Sequence, residues 1–124
     1  MKLIDANVIL RYLLREPEDQ AEQARKIIET GAFTTMEVMA EVVYVLQKVY
    51  RIDRSEIGNA IVAVAAELSF DEFDVLAYAM ALFHTRNLDF VDCVLAAREV
   101  VKHDEVFSFD KKLMATIRTL CADF

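Results

Sequence analysis

Asp92 lies in the stretch NLDFVDCVLAA, and from Phe90 to Ala97 it is the one residue that is not apolar. Asp89, three residues earlier, is a good N-cap for the helix that this run predicts. Asp92 then falls in the first helical turn, where the helix dipole favours negative charge. The dipole makes the position tolerable but gives it no purpose. Three other acids extend the pattern. Asp5 directly follows KLI, Asp110 directly follows VFSF, and Glu41 lies between Ala40 and Val42 in a long apolar helix. Taken singly, Asp5 and Asp110 are accounted for as caps of the helices they precede, and Glu37 fits a Thr-x-x-Glu capping box with Thr34. Glu41 has no capping role, and its helix offers little polar face. Acids are rarely buried unpaired, so acids converging on an apolar framework call for a cation. Oxygen-only ligands suit Mg²⁺ or Mn²⁺, which take few protein carboxylates and keep waters for a substrate phosphate. Without the ion, mutual repulsion should raise some of the carboxyl pKa values.

Other chemistries have little support. His84 and His103 are isolated, without metal-ligand spacing. There is no CxxC and no glycine-rich phosphate loop, and Ser108 has no histidine near it in sequence. Cys93 and Cys121 both lie in apolar surroundings and read as reduced, packed thiols rather than a disulfide framework.

The elements that must position the acids alternate. Short strands are predicted at Lys2–Ile4, AFTT, LSF and EVFSF, with CADF as a short edge strand. Helices are predicted from Asp5–Asn7 through LRYLL, and over EPEDQAEQARKIIETG, which has Pro17 near its start and Gly31 at its end. They continue over TTMEVMAEVVYVLQKVY, DRSEIGNAIVAVAAE, DEFDVLAYAMALFHTRN, DFVDCVLAAREVVKH and DKKLMATIRTL. The alternation predicts an α/β domain with a small parallel β-sheet flanked by helices on both faces. In such sheets function collects at the carboxyl ends of the strands, where Asp5 and Asp110 would stand.

With 124 residues the chain reads as a single domain over 1–124. A net charge of −7 argues against a general nucleic-acid-coating protein but leaves room for action on RNA where metal ions offset the charge. The N-terminal apolar stretch is broken by Asp5 and Asn7 and lacks a small-residue cleavage site, so no signal peptide is expected. No run is long enough to span a bilayer, and the expected location is cytoplasmic. Hydrophobic residues make up 56% of the chain, so another chain is expected to cover part of them. The excess is concentrated in Val42–Tyr50, apolar around nearly its whole circumference, and in the Ile57–Ala66 helix.

The ordered set LIDANVILRYLL, TTMEVMAEVVYVL, LDFVDCVLAA and VFSFD resembles a PIN-domain protein, specifically a VapC-type toxin of a type II toxin–antitoxin pair. The likeness covers essentially the whole chain. It places the family's acidic quartet on Asp5, Glu41, Asp92 and Asp110, as catalytic and metal-holding residues. The accessory polar positions fall on Asn7, Asp89 and Ser108. Two departures stand out: Cys93 follows the third acid where the family often has alanine, and the chain ends at CADF without a glycine-containing final strand. The resemblance implies Mg²⁺- or Mn²⁺-dependent endoribonuclease activity, with Arg11, Lys111 and Lys112 as candidate contacts to RNA phosphate. It also implies a cognate antitoxin, docked on the apolar helices with a basic side chain in the acidic pocket, and a homodimer. Rival readings are a PIN nuclease of RNA maturation or DNA flap processing without a toxin role, and a catalytically silent partner-binding module. A phosphoacceptor receiver domain would need a lysine after a late strand, where this chain has Asp110.

Overall fold

The computed structural model of the chain describes residues 1–122. It contains two compact units, Met1–Phe73 and the part from Asp74 onward.

The first unit runs β1 (Lys2–Leu3), α1 (Ala6–Leu14), α2 (Glu18–Thr30), β2 (Ala32–Phe33), α3 (Met36–Lys48) and α4 (Arg54–Glu67). β1 and β2 are parallel, with Lys2 opposite Ala32 and Leu3 opposite Phe33. The pairing is extended where the Ile4 amide donates to the Phe33 carbonyl at 3.0 Å. On β2, Ser69 adds a single parallel bridge to Phe33. The LSF strand is thus reduced to one bridge.

The helices of this unit follow from apolar stripes and, at α1, α3 and α4, from side-chain caps at Asp5, Thr35 and Asp53. Ala6, Ile9 and Leu10 of α1 are buried at helical spacing, as are Met39, Val42, Val43 and Leu46 of α3. Pro17 precedes α2, Glu18 and Asp19 occupy its first turn, and Gly31 ends it with φ +107°, a conformation that glycine adopts without steric cost. The predicted Thr34–Glu37 capping box does not form. Thr35 caps α3 instead, its hydroxyl accepting from the Val38 amide at 3.3 Å. The reason is that Thr34 is drawn inward. It is the one buried polar residue among the described residues, and its hydroxyl donates to the Ile4 carbonyl at 2.9 Å. That bond ties the entry of α3 to the residue just before Asp5. Thr34→Val keeps the volume and loses the bond, and is expected to cost about 1–2 kcal/mol, read as a lower urea midpoint at unchanged slope.

The second unit holds most of α5 (Phe73–Thr85), then α6 (Phe90–Lys102) and α7 (Lys111–Ala122). The buried residues of α6 are Phe90, Cys93, Ala96 and Ala97, and those of α7 are Leu113, Ile117 and Leu120. Lys102 holds Asp74 at 2.7 Å, joining the ends of α6 and α5. Glu99 accepts from the Val106 amide at 2.9 Å and from the Cys121 thiol at 3.4 Å, linking α6, the following segment and α7.

Two predicted strands are absent among the described residues. EVFSF joins no sheet. The Val106 amide donates to the Glu99 carboxylate instead of to a strand, and just past the segment the Asp110 amide donates to the Ser108 hydroxyl at 3.0 Å. Phe107 and Phe109 are exposed and pack edge to face on each other at 5.1 Å. Of CADF, Cys121 and Ala122 continue α7, because Leu120 extends its buried stripe; the rest lies outside the described residues. The architecture is α/β, mostly helical, with a small parallel two-stranded sheet. No helix among the described residues is long and apolar enough to cross a membrane.

Candidate functional site

The second unit accounts for the odd placement of Asp92. Asp89 stands at the N-cap position of α6 in extended backbone but makes no side-chain capping bond, so the expected cap is positional only; Asp92 occupies the first turn, half-buried, beside the buried Cys93. Partial burial pushes the Asp92 carboxyl above the usual carboxylate range, and the negative charges of Asp110 and then Asp89 push the same way. The repulsion expected among the acids contributes here through Asp110, but burial is the larger cause.

Asp110 has two tasks in its own backbone. Its Oδ1 accepts from the Leu113 amide at 3.1 Å, and its carbonyl accepts from the Met114 amide, so it caps α7. The cap uses one carboxylate oxygen of the two. Ser108 fixes the approach through its bond to the Asp110 amide. Asp110→Ala removes the cap and is expected to cost about 1 kcal/mol of stability, whereas Asp110→Asn keeps it. Melting curves of the two variants separate the structural task from any chemical one.

Asp5, in the first unit, repeats this arrangement. It follows β1 by one residue, and its Oδ1 accepts from the Val8 amide at 3.1 Å, capping α1. Asn7 is held by Arg11, whose Nε and Nη2 both donate to the Asn7 amide oxygen, at 3.3 and 3.2 Å. Arg11 also gives Nη1 to the Glu16 carbonyl at 3.0 Å. Glu41 is exposed on α3, outside the buried stripe.

The candidate cations differ in what they are free to do. Arg11 commits three of its five N–H groups, which makes it a brace for Asn7 with two donors left. Lys112 donates to the Asn87 carbonyl at 2.8 Å, fastening α7 to the segment before α6. Lys111 is exposed at the start of α7. The Asn7–Arg11 brace was legible as an i,i+4 polar pair on one helix face.

Among the described residues, no three His, Cys, Asp or Glu side chains are gathered closely enough to hold a metal ion. The donor set nevertheless fits a divalent ion in kind. The candidate ligands are hard oxygens, and at Asp92 burial and the charges of Asp110 and Asp89 all disfavour the ionised carboxylate. Of the two cysteines, Cys93 is buried and Cys121 half-buried. Burial and the Glu99 carboxylate raise the Cys121 pKa, which keeps that sulfur protonated and unreactive.

The family model described as PIN domain matches residues 2–118. No curated protein and no solved structure is significantly similar to the chain.

Proposed function

The chain belongs to the PIN-domain family, a family of nuclease-type fold whose members generally use divalent metals, and from that premise we propose that it is a Mg²⁺- or Mn²⁺-dependent endoribonuclease. Its metal-holding carboxylates are Asp5, Glu41, Asp92 and Asp110, with Asn7, Asp89 and Ser108 as accessory groups. The observation that carries the reading is the Asp92 carboxyl, placed in an otherwise apolar helix and raised by burial and by two further acids. A structural acid in such a helix would be expected to have a salt bridge or a neutral hydrogen-bonding partner. When bound, the ion lowers the pKa of a water and stabilises charge on the attacked phosphate. The chain's own part is positional. Asp5 and Asp110 are each fixed through one oxygen by a helix amide, so neither rotamer has to be ordered when a ligand arrives. Asn7, with its oxygen held by Arg11, keeps its amide N–H₂ for a phosphate or a base.

The finer reading is that of the toxin of a type II pair. Supporting it are apolar side chains left open on the first unit. Tyr44, Val49 and Tyr50 of α3 and its end are exposed, so α3 is not enclosed by its own chain. By contrast Ile57, Ile61 and Val64 of α4 are buried, leaving less of that helix for a partner than its sequence suggested. A cavity of about 620 Å³ bordered by α1, α2 and α4 adds an apolar surface at Leu13, Ala60 and Ala63, among charged residues that include Arg15, Glu22, Arg25 and Glu67. These surfaces suit a hydrophobic antitoxin segment and a second copy of the chain. Expression in cells tests the reading. Growth should stop with fragmented RNA, Asp5→Asn should be harmless, and co-expression of the product of a neighbouring gene should restore growth. Normal growth with intact RNA contradicts the toxin role. Light scattering of the lone protein should give a dimer, and a monomer that ignores the neighbouring product would remove the partner assignment.

A further inference from the structure

A smaller cavity, of about 240 Å³, opens between α1 and α2 of the first unit. Val8, Ala24 and Ile27 form its apolar part, and Asn7, Arg11, Gln20 and Gln23 form its polar part. No carboxylate lines it, although α2 carries Glu18, Asp19, Glu22 and Glu29 elsewhere. Primary amides and a guanidinium over an apolar wall are the side chains that read the edges and faces of unstacked bases. Arg11 is held by three bonds to Asn7 and to the Glu16 carbonyl, which pre-pays the ordering of its guanidinium. The cavity also adjoins a candidate metal ligand. Val8 in its wall is the residue whose amide Asp5 accepts, and Asn7 lies two residues from Asp5.

We propose that this cavity is a specificity pocket that takes one unpaired RNA base beside the scissile phosphate, stacked on Arg11 and bonded at its edge by Gln20 and Gln23. The proposal rests on the nuclease reading above and adds to it the residues that choose the base. Gln20 and Gln23 are exposed and one turn apart, so their substitution leaves the packing of α2 intact. A peptide side chain seated in the cavity is the competing occupant, and it would leave base choice untouched.

The test uses the whole chain with Mn²⁺ and a pool of short unstructured RNAs randomised around one cleavable region, with cut ends read by sequencing. Wild type should favour one base at a fixed position beside the cut by about tenfold, the usual worth of a well-placed edge contact. Gln20→Ala and Gln23→Ala should flatten that preference at unchanged melting temperature, and Gln23→Glu, which replaces an N–H₂ donor by an acceptor, should change the base preferred. An abasic residue at the position should slow wild type by about the same factor and leave Gln23→Ala unaffected. Cleavage without base preference, or a preference that survives all three substitutions, overturns the pocket alone. Absence of any metal-dependent cleavage by wild type overturns the nuclease reading, and the pocket falls with it.

Discussion

Asp5→Asn protein is expected to cleave RNA about a hundred- to a thousandfold more slowly than wild type at saturating metal, the usual cost of removing one charge-stabilising group from a nuclease-type site. Asparagine is the right replacement because it preserves the cap. The Val8 amide keeps an oxygen acceptor, so the helix and its melting temperature stay as they are. The same holds at Asp110, where asparagine still receives the Leu113 amide. Single-turnover rates on a labelled RNA check both. A variant with wild-type melting and wild-type rate would reduce these aspartates to helix caps, which is the plain account of each taken alone.

The second large effect is thermal. A metal that binds the folded chain at a hundred times its Kd adds about 2.7 kcal/mol of stability, or about 10 °C in a domain of this size. Asp92→Asn should abolish most of that shift while doing the opposite to the metal-free protein. Because the folded pKa of Asp92 is raised, the folded state binds its proton more tightly than the unfolded chain does. The stability linked to this group is therefore fully present below the ordinary value of 3.8 and is lost as pH rises through the raised value. At neutral pH the ionised side chain is a net cost, and the metal-free Asp92→Asn variant should melt about 1–3 °C higher than wild type. Below about pH 3 the difference should vanish. Scanning fluorimetry across pH, with and without Mn²⁺, reads both effects. A clear drop in the metal-free melting temperature would show that Asp92 is held by a structural hydrogen bond.

Much of this was legible in the sequence, for reasons that differ from residue to residue. Asp92 stood out because a carboxylate in an apolar helix is costly, and burial does raise its pKa. At Asp5 and Asp110 the cap and the proposed ligand role coexist, since a cap uses one oxygen of two. The EVFSF strand was misread because apolar, β-prone residues do not decide whether the backbone donors find a strand. Here the Val106 amide finds the Glu99 carboxylate. The cap of α3 slipped by one residue because the two adjacent threonines are equivalent until one hydroxyl is claimed by the Ile4 carbonyl, 30 residues away in sequence. Gln20 and Gln23 passed unnoticed for the same kind of reason: only the packing of α1 against α2 gives them a shared cavity with Asn7 and Arg11.

The central claim, metal-dependent hydrolysis of RNA, is tested most directly by one titration. Purified protein freed of any partner is mixed with a labelled RNA in EDTA, and Mn²⁺ or Mg²⁺ is then added in excess. The account predicts no cleavage in EDTA and full cleavage once free metal appears. Cleavage that persists in EDTA, or an RNA that stays intact at every metal concentration, would contradict it.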